Sequence, residues 1–457
     1  MSTTTDRADL GAAMADVDVR ALDRAHVFHS WSAQDAIDPL PIMEAQGCWF
    51  VDDTGRRWFD GSSQLVNLNL GHRHPDLVAA IREQAGRLPT VAPGFANDVR
   101  GRAAQMIAER APGDLDRVFF TNGGADANEN AIRLARGHTG RHKVLSAYRS
   151  YHGATGGAIA MTGDPRRWRN EPGADGFVHF LGPHPYRSSF HATDVAQECE
   201  RALAHLEEVV MFEGPDTIAC IFLETIVGTN GVLVPPDGYL AGVRDLCDRH
   251  GIMLACDEVM VGFGRVGEWF AVDHWDVVPD LVTFAKGVNS GYVPLGGVVM
   301  SPAIAASFAD VSFHGGLTYS GHPLGCAVAV ASMEVFERDG ILDHVRTEGT
   351  WLGEQLRELA ARHPSVGEVR GLGFFWALEL VRDAETREPL VPFAAAGDAA
   401  APMRAVAAAC HEAGMWPFIH HNRLQLAPPL VAERDELTFM LGAVDIALDA
   451  ADEATAP

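Results

Sequence analysis

Four groups of residues in this sequence have the type and placement to do chemistry. Lys286 follows the apolar run LVTFA and precedes Gly287. A lysine at a strand end is more often a solvated surface charge, because lysine is seldom buried. Here the run before it and the glycine-rich turn after it favour desolvation, which lowers the amine's pKa and frees it as a nucleophile. Asp257 ends a second apolar run, IMLAC, where a carboxylate is costly unless a cation meets it. A pyridinium nitrogen would serve. The run RVFF leads into Thr121-Asn122-Gly123-Gly124-Ala125-Asp126 and then into a helical pattern. Glycines before a helix N-terminus expose backbone N–H groups at the positive end of the dipole, an arrangement that holds phosphate. LSAY leads to Tyr148 and then to Ser150-Tyr151-His152-Gly153, which puts an aromatic ring near the same edge. Amine, acid, phosphate cradle and aromatic face together suggest pyridoxal 5'-phosphate (PLP). The lysine would form the Schiff base, and the aspartate would keep the ring nitrogen protonated so that the ring acts as an electron sink.

The elements that must position these residues are readable as an alternation. RVFFTN, KVLSAY, TIACIFLET, IMLACDE and LVTFAK are short apolar runs of strand length, and ADANENAIRLARGH, ECERALAHLEEVV and DGYLAGVRDLCDRHG are helical segments between several of them. Apolar strands alternating with helices predict a mainly parallel sheet covered on both faces. Such sheets collect ligands at the carboxyl ends of their strands. PDLVAAIREQAGRL is a helix with proline at its start. Cys48 to Gly61 reads as a hairpin around Asp53-Thr54-Gly55. After about residue 335, long helices (341–363 and 402–414) flank strand-like GFFWALELV and NRLQLAPP, which predicts a second, smaller α+β domain. The expected division is 1–70 as an arm and hairpin belonging to the small domain, 71–335 as the large domain, and 336–457 as the rest of the small domain.

Composition excludes several classes. The chain has 457 residues, is 47% hydrophobic and carries a formal net charge of −25. That excess repels phosphates over most of the surface and argues against nucleic acid and anionic membranes as partners. No run approaches the ~18 apolar residues of a membrane span. The N-terminus is acidic and broken, unlike a secretory signal. Seven cysteines without a C-x-x-C pair read as reduced thiols packed as small apolar groups, which implies a cytoplasmic protein. Gly262 to Gly267, GFGRVG, matches G-x-G-x-x-G but is followed by EWFAVDHWDVVPD rather than a helix, so a tight glycine-rich loop is the better reading than a dinucleotide site. The histidine pairs His72/His74 and His420/His421 lack a third ligand, and no metal is expected.

The motifs FFTNGGADANENAIRLAR, SYHGAT, ACDEVMVGFGRVGEWFA, TFAKGVNSGYVPLGGV and GGLTYSGHPLGCA occur in that order. In them the chain resembles the class III aminotransferases, or ω-transaminases, from about Gly47 to Pro429. The resemblance implies the PLP-dependent transferase fold type I, an α/β fold whose large domain has a mainly parallel seven-stranded sheet beside a smaller α+β domain. It implies that Lys286 is the Schiff-base lysine and proton shuttle, and that Asp257 pairs with the ring nitrogen. Tyr151 and Val259 would pack on opposite ring faces, with His152 beside them. Gly123, Gly124 and Ala125 would hold the phosphate, and Glu224 matches an acidic position near the cofactor. Thr318 would reach the phosphate from the neighbouring subunit of a homodimer with a shared active site; pairing of dimers into tetramers stays open. The pocket positions match Leu65, Val66, Phe95, Trp416 and Phe418, with Leu317 from the partner chain.

Two departures from the family pattern matter. Ala125 stands where many relatives have a hydroxyl, so one phosphate hydrogen bond is lost, about 1–2 kcal/mol. Phe418 stands where many ω-transaminases have the arginine that binds a substrate carboxylate. Arg423, five residues on, is either a substitute or a surface or domain-interface arginine. Several relatives carry tryptophan where this chain has Val66, so more room and tolerance of bulky hydrophobic amines are expected. The expected activity is transfer of an amino group from a primary amine, including bulky or aromatic ones, to a keto acid such as pyruvate by a ping-pong mechanism. The alternatives are a taurine-, β-alanine- or GABA-type aminotransferase or an aminomutase on the same fold, and a non-catalytic PLP-binding scaffold. The missing arginine and apolar pocket lean against a dedicated dicarboxylate substrate.

Overall fold

The computed structural model describes residues 17–455. The first sixteen residues of the expected arm lie outside that range. Within it the arm holds one helix, Val19–His26, capped by Asp18 accepting from the Ala21 N–H at 2.9 Å, and one 3-10 turn, Gln34–Ala36.

The strands follow in chain order. β1 (Ile42–Gln46), β2 (Trp49–Asp52) and β3 (Arg57–Asp60) form an antiparallel meander, whose β2–β3 turn is Asp53-Thr54-Gly55 as expected. The large sheet uses β4 (Arg117–Thr121), β5 (Lys143–Ala147), β6 (Phe177–Phe180), β7 (Ile218–Glu224), β8 (Met253–Asp257), β9 (Leu281–Phe284) and β10 (Gly296–Met300). The C-terminal part contributes β11 (Val366–Leu372), β12 (Phe375–Asp383), β13 (Glu388–Pro389), β14 (Met415–Trp416), β15 (Phe418–His420) and β16 (Arg423–Leu426).

The large sheet has seven strands in the order β4-β10-β9-β8-β7-β5-β6. All its pairings are parallel except those of β10, which is antiparallel to both neighbours. The sequence does not announce β10, because two glycines open it. The pairing explains them: a Cβ on Gly297 would lie 2.5 Å from Phe284 Cζ and 2.8 Å from the Phe119 carbonyl. β7 is buried at every residue, as a central strand covered on both faces must be. Ile221 faces one hydrophobic cluster with Leu206, Val243 and Met333 from the helices Val195–Glu213, Tyr239–His250 and Pro323–Arg338. Its neighbours Cys220 and Phe222 face another, with Ala131 and Ala135 of the helix Gly124–Thr139. The period of two along the strand thus splits the core into two layers.

The C-terminal part builds an antiparallel sheet, β11-β12-β16-β15 with β13 on β12, against the helices Ile341–Ala360, Ala401–Glu412 and Arg434–Glu453. β14 leaves that region to pair in parallel with β3, so the N-terminal meander and the C-terminal segment share one sheet. GFGRVG lies in a run of turns with no helix after it but a 3-10 turn at Ala271–Trp275, and Gly264 and Gly267 take φ of 94° and 89°. Its Arg265 is fully buried and donates to the carbonyls of Phe374 and Pro428 and to Asn69 Oδ1. The loop is therefore a clamp joining three parts of the chain. Among the described residues no helix is long and apolar enough to cross a membrane.

Candidate active site

The parallel register puts successive strand ends on one edge. Glu224 at the end of β7 pairs across from Asp257 at the end of β8, and Asp257 from Thr283 of β9; Lys286 follows two residues after β9. The turn after β4 reaches the same edge, since Thr121 pairs with Gly296. A cavity of about 850 Å³ opens there, large enough for a cofactor and a small substrate. Its wall includes Gly123, Gly124, Ala125, Tyr151, His152, Glu224, Asp257, Val259, Lys286, Leu65 and Phe418.

The chain has two lysines, Lys143 and Lys286. Lys143 opens β5 at the opposite edge of the sheet and donates to Glu213, so Lys286 is the one lysine at the cavity. Its backbone has φ +44°, a left-handed conformation uncommon for a non-glycine residue and concentrated at functional sites. Burial pushes its amine down to about 8, against the pull of Asp257 and Glu224. Asp257 is buried, and both its oxygens are anchored. Its Oδ2 accepts from Asn128 Nδ2 at 2.8 Å and meets His152 Nδ1 at 2.8 Å, and its Oδ1 accepts from the Val259 N–H at 3.0 Å. Among the described residues the other ring nitrogen of His152, Nε2, is buried without a partner. Glu224 accepts from the N–H groups of Tyr151 and Gly228, yet burial raises its carboxyl to about 7.

One end of the cavity is set by the helix Gly124–Thr139. Its N-terminus has no side-chain cap, and Asn122 to Ala125 wall the cavity, so unpaired backbone N–H groups and the dipole's positive end face it. Gly153, at φ +128°, packs against this turn: a Cβ there would lie 2.5 Å from that of Ala125. A desolvated amine, an anchored anion and an uncapped helix start around one cavity match the aldehyde, ring nitrogen and phosphate of PLP. The residues present fit the cofactor.

Several expected pocket residues lie elsewhere. Val66 is not a cavity wall. Positive φ at Ser63, Gln64 and Val66 twists this segment, leaving Leu65 half exposed at the cavity and turning Val66 into a core with Ile226, Val261 and Val266. The size of Val66 therefore does not set the room for bulky amines. Trp416 packs among Phe50, Trp58 and His411, because β14 belongs to a different sheet from β15, which carries Phe418 to the cavity. Phe95 is exposed in a loop outside this chain's cavity, as are Leu317 and Thr318, with Thr318 exposed and Leu317 partly so. Arg423 is not a surface residue and does not line the cavity. The β12–β16 register sets it opposite Glu379, near Arg370 and Arg187, where burial lowers it to about 10.

Residues that the sequence left unmarked also wall the cavity: Trp31, Asn67, Asn128, Arg166, Thr229, Met260 and His420 among them. Asn128 has a signal in hindsight, a polar residue four positions after Gly124 on the buried helix face, where its Oδ1 accepts from Thr283 Oγ1 at 2.7 Å. Arg166 sits in a 3-10 turn after β5, with nothing in its spacing to mark it.

A mainly parallel seven-stranded sheet with lysine, aspartate and a glycine-led helix start along one edge defines a PLP-dependent enzyme of fold type I. The model of the class-III aminotransferases matches residues 31–448, and the chain belongs to that family. It is 37% identical over 454 residues to the taurine–pyruvate aminotransferase of Rhodobacter capsulatus, covering 94% of this chain and 96% of that one. The taurine:2-oxoglutarate aminotransferase of Bifidobacterium kashiwanohense, solved with PLP and glutamate, superposes with a TM-score of 0.92 at 44% identity, over 95% of this chain and 98% of that one. An (S)-enantioselective ω-transaminase of Thermomicrobium roseum superposes at 0.89 with 36% identity, over 98% and 99%. The chain is an aminotransferase, and its cofactor is PLP.

Proposed function

We propose that this enzyme moves an amino group from a small primary amine to a keto acid such as pyruvate, with donor and acceptor using the same cavity in turn. The observation that carries the reading is the placement of the buried Lys286 amine and the anchored Asp257 carboxyl group in the wall of one cavity, with burial lowering the amine to about 8. Gly123, Gly124 and Ala125 would hold the cofactor's phosphate, Asp257 its ring nitrogen, and Tyr151 and Val259 its two faces. Bound there, PLP supplies an electron sink for the charge left when a C–H bond beside the amine breaks. Lys286 Nζ takes that proton and returns it on the other side of the transfer, a task suited to an amine with a pKa near working pH. His152 and Asn128 keep the Asp257 carboxyl group in place. Leu65 and Phe418 give the substrate an apolar wall that excludes water.

A second reading, an amine carrying an acid group, is favoured by the relatives that act on taurine. The exposed segment around Leu317 and Thr318 supports a homodimer in which these residues complete the neighbouring site. Seven unpaired cysteines, six of them buried, support a reducing, cytoplasmic setting. A panel of amines, neutral and acidic, assayed with pyruvate and 2-oxoglutarate, tests the reading. Turnover of at least one donor is expected, and an inactive, PLP-loaded protein across the whole panel would overturn it.

A further inference from the structure

A second, smaller cavity lies beside the cofactor cavity, between the carboxyl ends of β5 and β7 and the start of the helix Tyr239–His250. It encloses about 40 Å³, and Glu224 belongs to the walls of both cavities. That volume holds about three or four water-sized groups, at ~10–15 Å³ each. Three groups of its wall lack partners. Tyr239 is 4% exposed, and its phenol oxygen is buried with no hydrogen bond among the described residues. A buried hydroxyl left unpaired is costly. The helix that Tyr239 opens starts after Gly238 without a side-chain cap, so the Leu240 N–H and the positive end of the dipole stand free at the wall. Arg149 is half-buried and held at φ +70° in the turn between β5 and Tyr151. Its guanidinium has no hydrogen bond or ion pair among the described residues, and Glu379, Glu198, Arg187 and Arg370 act on it only across a distance. Glu379 does not serve as its counter-ion, because Arg370, Arg187 and Arg423 already surround that carboxylate. Nor does Glu224, whose two oxygens accept from the Tyr151 and Gly228 N–H groups. Asp237, just before the helix, is exposed and not part of the wall.

We propose that this cavity binds a carboxylate of one or two carbons, at a site separate from the cofactor cavity. The Arg149 guanidinium supplies the counter-charge, and the Tyr239 hydroxyl and the Leu240 N–H supply donors to the acid's oxygens. Val227 and Leu233 line the rest of the wall with apolar surface, which receives a methyl group. Size and wall together select acetate. A longer chain exceeds the volume, and a second negative charge, as on phosphate or a dicarboxylate, would be buried without a second cation to meet it. The bound acid ties the turn that leads to Tyr151 to the start of the helix Tyr239–His250, and it leaves the cofactor cavity open.

The test uses PLP-loaded wild type, Arg149→Gln, Tyr239→Phe and Arg166→Gln, the last to separate binding in the cofactor cavity. Sodium acetate, butyrate and phosphate are titrated by calorimetry at constant ionic strength. Acetate should bind wild type and Arg166→Gln alike, and butyrate and phosphate should bind at least about 10-fold more weakly. Loss of one charge-assisted hydrogen bond predicts about 10- to 100-fold weaker acetate binding in Arg149→Gln, and about 10-fold weaker binding in Tyr239→Phe. Without acetate, Tyr239→Phe should melt no lower than wild type, because the hydroxyl it removes has no partner to lose. Its weaker binding is then not a loss of fold. Acetate should raise the thermal midpoint of wild type and leave that of Arg149→Gln unchanged. The proposal is overturned if wild type binds no acetate, if Arg166→Gln loses the binding instead, if Arg149→Gln and Tyr239→Phe bind acetate as wild type does, or if butyrate or phosphate binds as tightly as acetate.

Discussion

Lys286 combines three properties that few residues share: a left-handed backbone, a lowered amine pKa and a place beside a buried carboxylate. The first costs of order 1 kcal/mol and persists only because the packing around it over-determines it. The second gives a test free of turnover. Because the pKa is lowered to about 8, the neutral amine appears as pH rises through that value. Acylation of Lys286 in cofactor-free protein, followed by peptide mass, should therefore rise with a midpoint near 8, and a midpoint near 10 would contradict the burial. At this scale the sequence was most informative for groups that end apolar runs. Lys286 and Asp257 were legible because a charge at the end of a buried strand needs a reason, while Glu224 was marked by the family resemblance alone. Arg166 and Val66 were not, because their orientation is set by a turn and by a string of positive φ values that no periodicity encodes.

The decisive element is the helix Gly124–Thr139, whose uncapped start is the proposed phosphate cradle and whose Asn128 holds Asp257. Gly153 lets the following loop lie against that start. A side chain there meets Ala125 and must adopt φ +128°. Gly153→Ala should therefore weaken PLP binding at least about 10-fold, read by titration of cofactor absorbance, and destabilise the protein by about 1–3 kcal/mol. Unchanged cofactor affinity would show that the loop is not part of the cradle. The parallel strands were readable from their apolar runs, while β10, β14 and β15 were not. β10 opens on glycines needed for close approach, and β14 and β15 are two- and three-residue strands divided by Pro417, too short to carry a pattern.

Across the whole molecule, N-terminal meander, large sheet and C-terminal sheet meet at Arg265, whose fully buried guanidinium bonds carbonyls and an amide from segments far apart in the chain. Arg265→Met should leave those acceptors unsatisfied at about 1–3 kcal/mol each and lower the thermal midpoint by several degrees, seen by calorimetry. A wild-type midpoint would mean the clamp is redundant. The G-x-G-x-x-G match hid this role, since its glycines serve a turn around a buried charge. If a second chain completes the site, light scattering should give about twice the 49.2 kDa chain mass, and a monomer with full activity would refute that arrangement. The account as a whole stands on Lys286 as the residue that moves the proton at an amine-bearing carbon. PLP-loaded enzyme mixed with an accepted amine and no keto acid should release one carbonyl product per active site and then stop until pyruvate is added. The Lys286→Ala enzyme should release none. Continuous release without an acceptor, or a full burst from Lys286→Ala, would contradict the assignment.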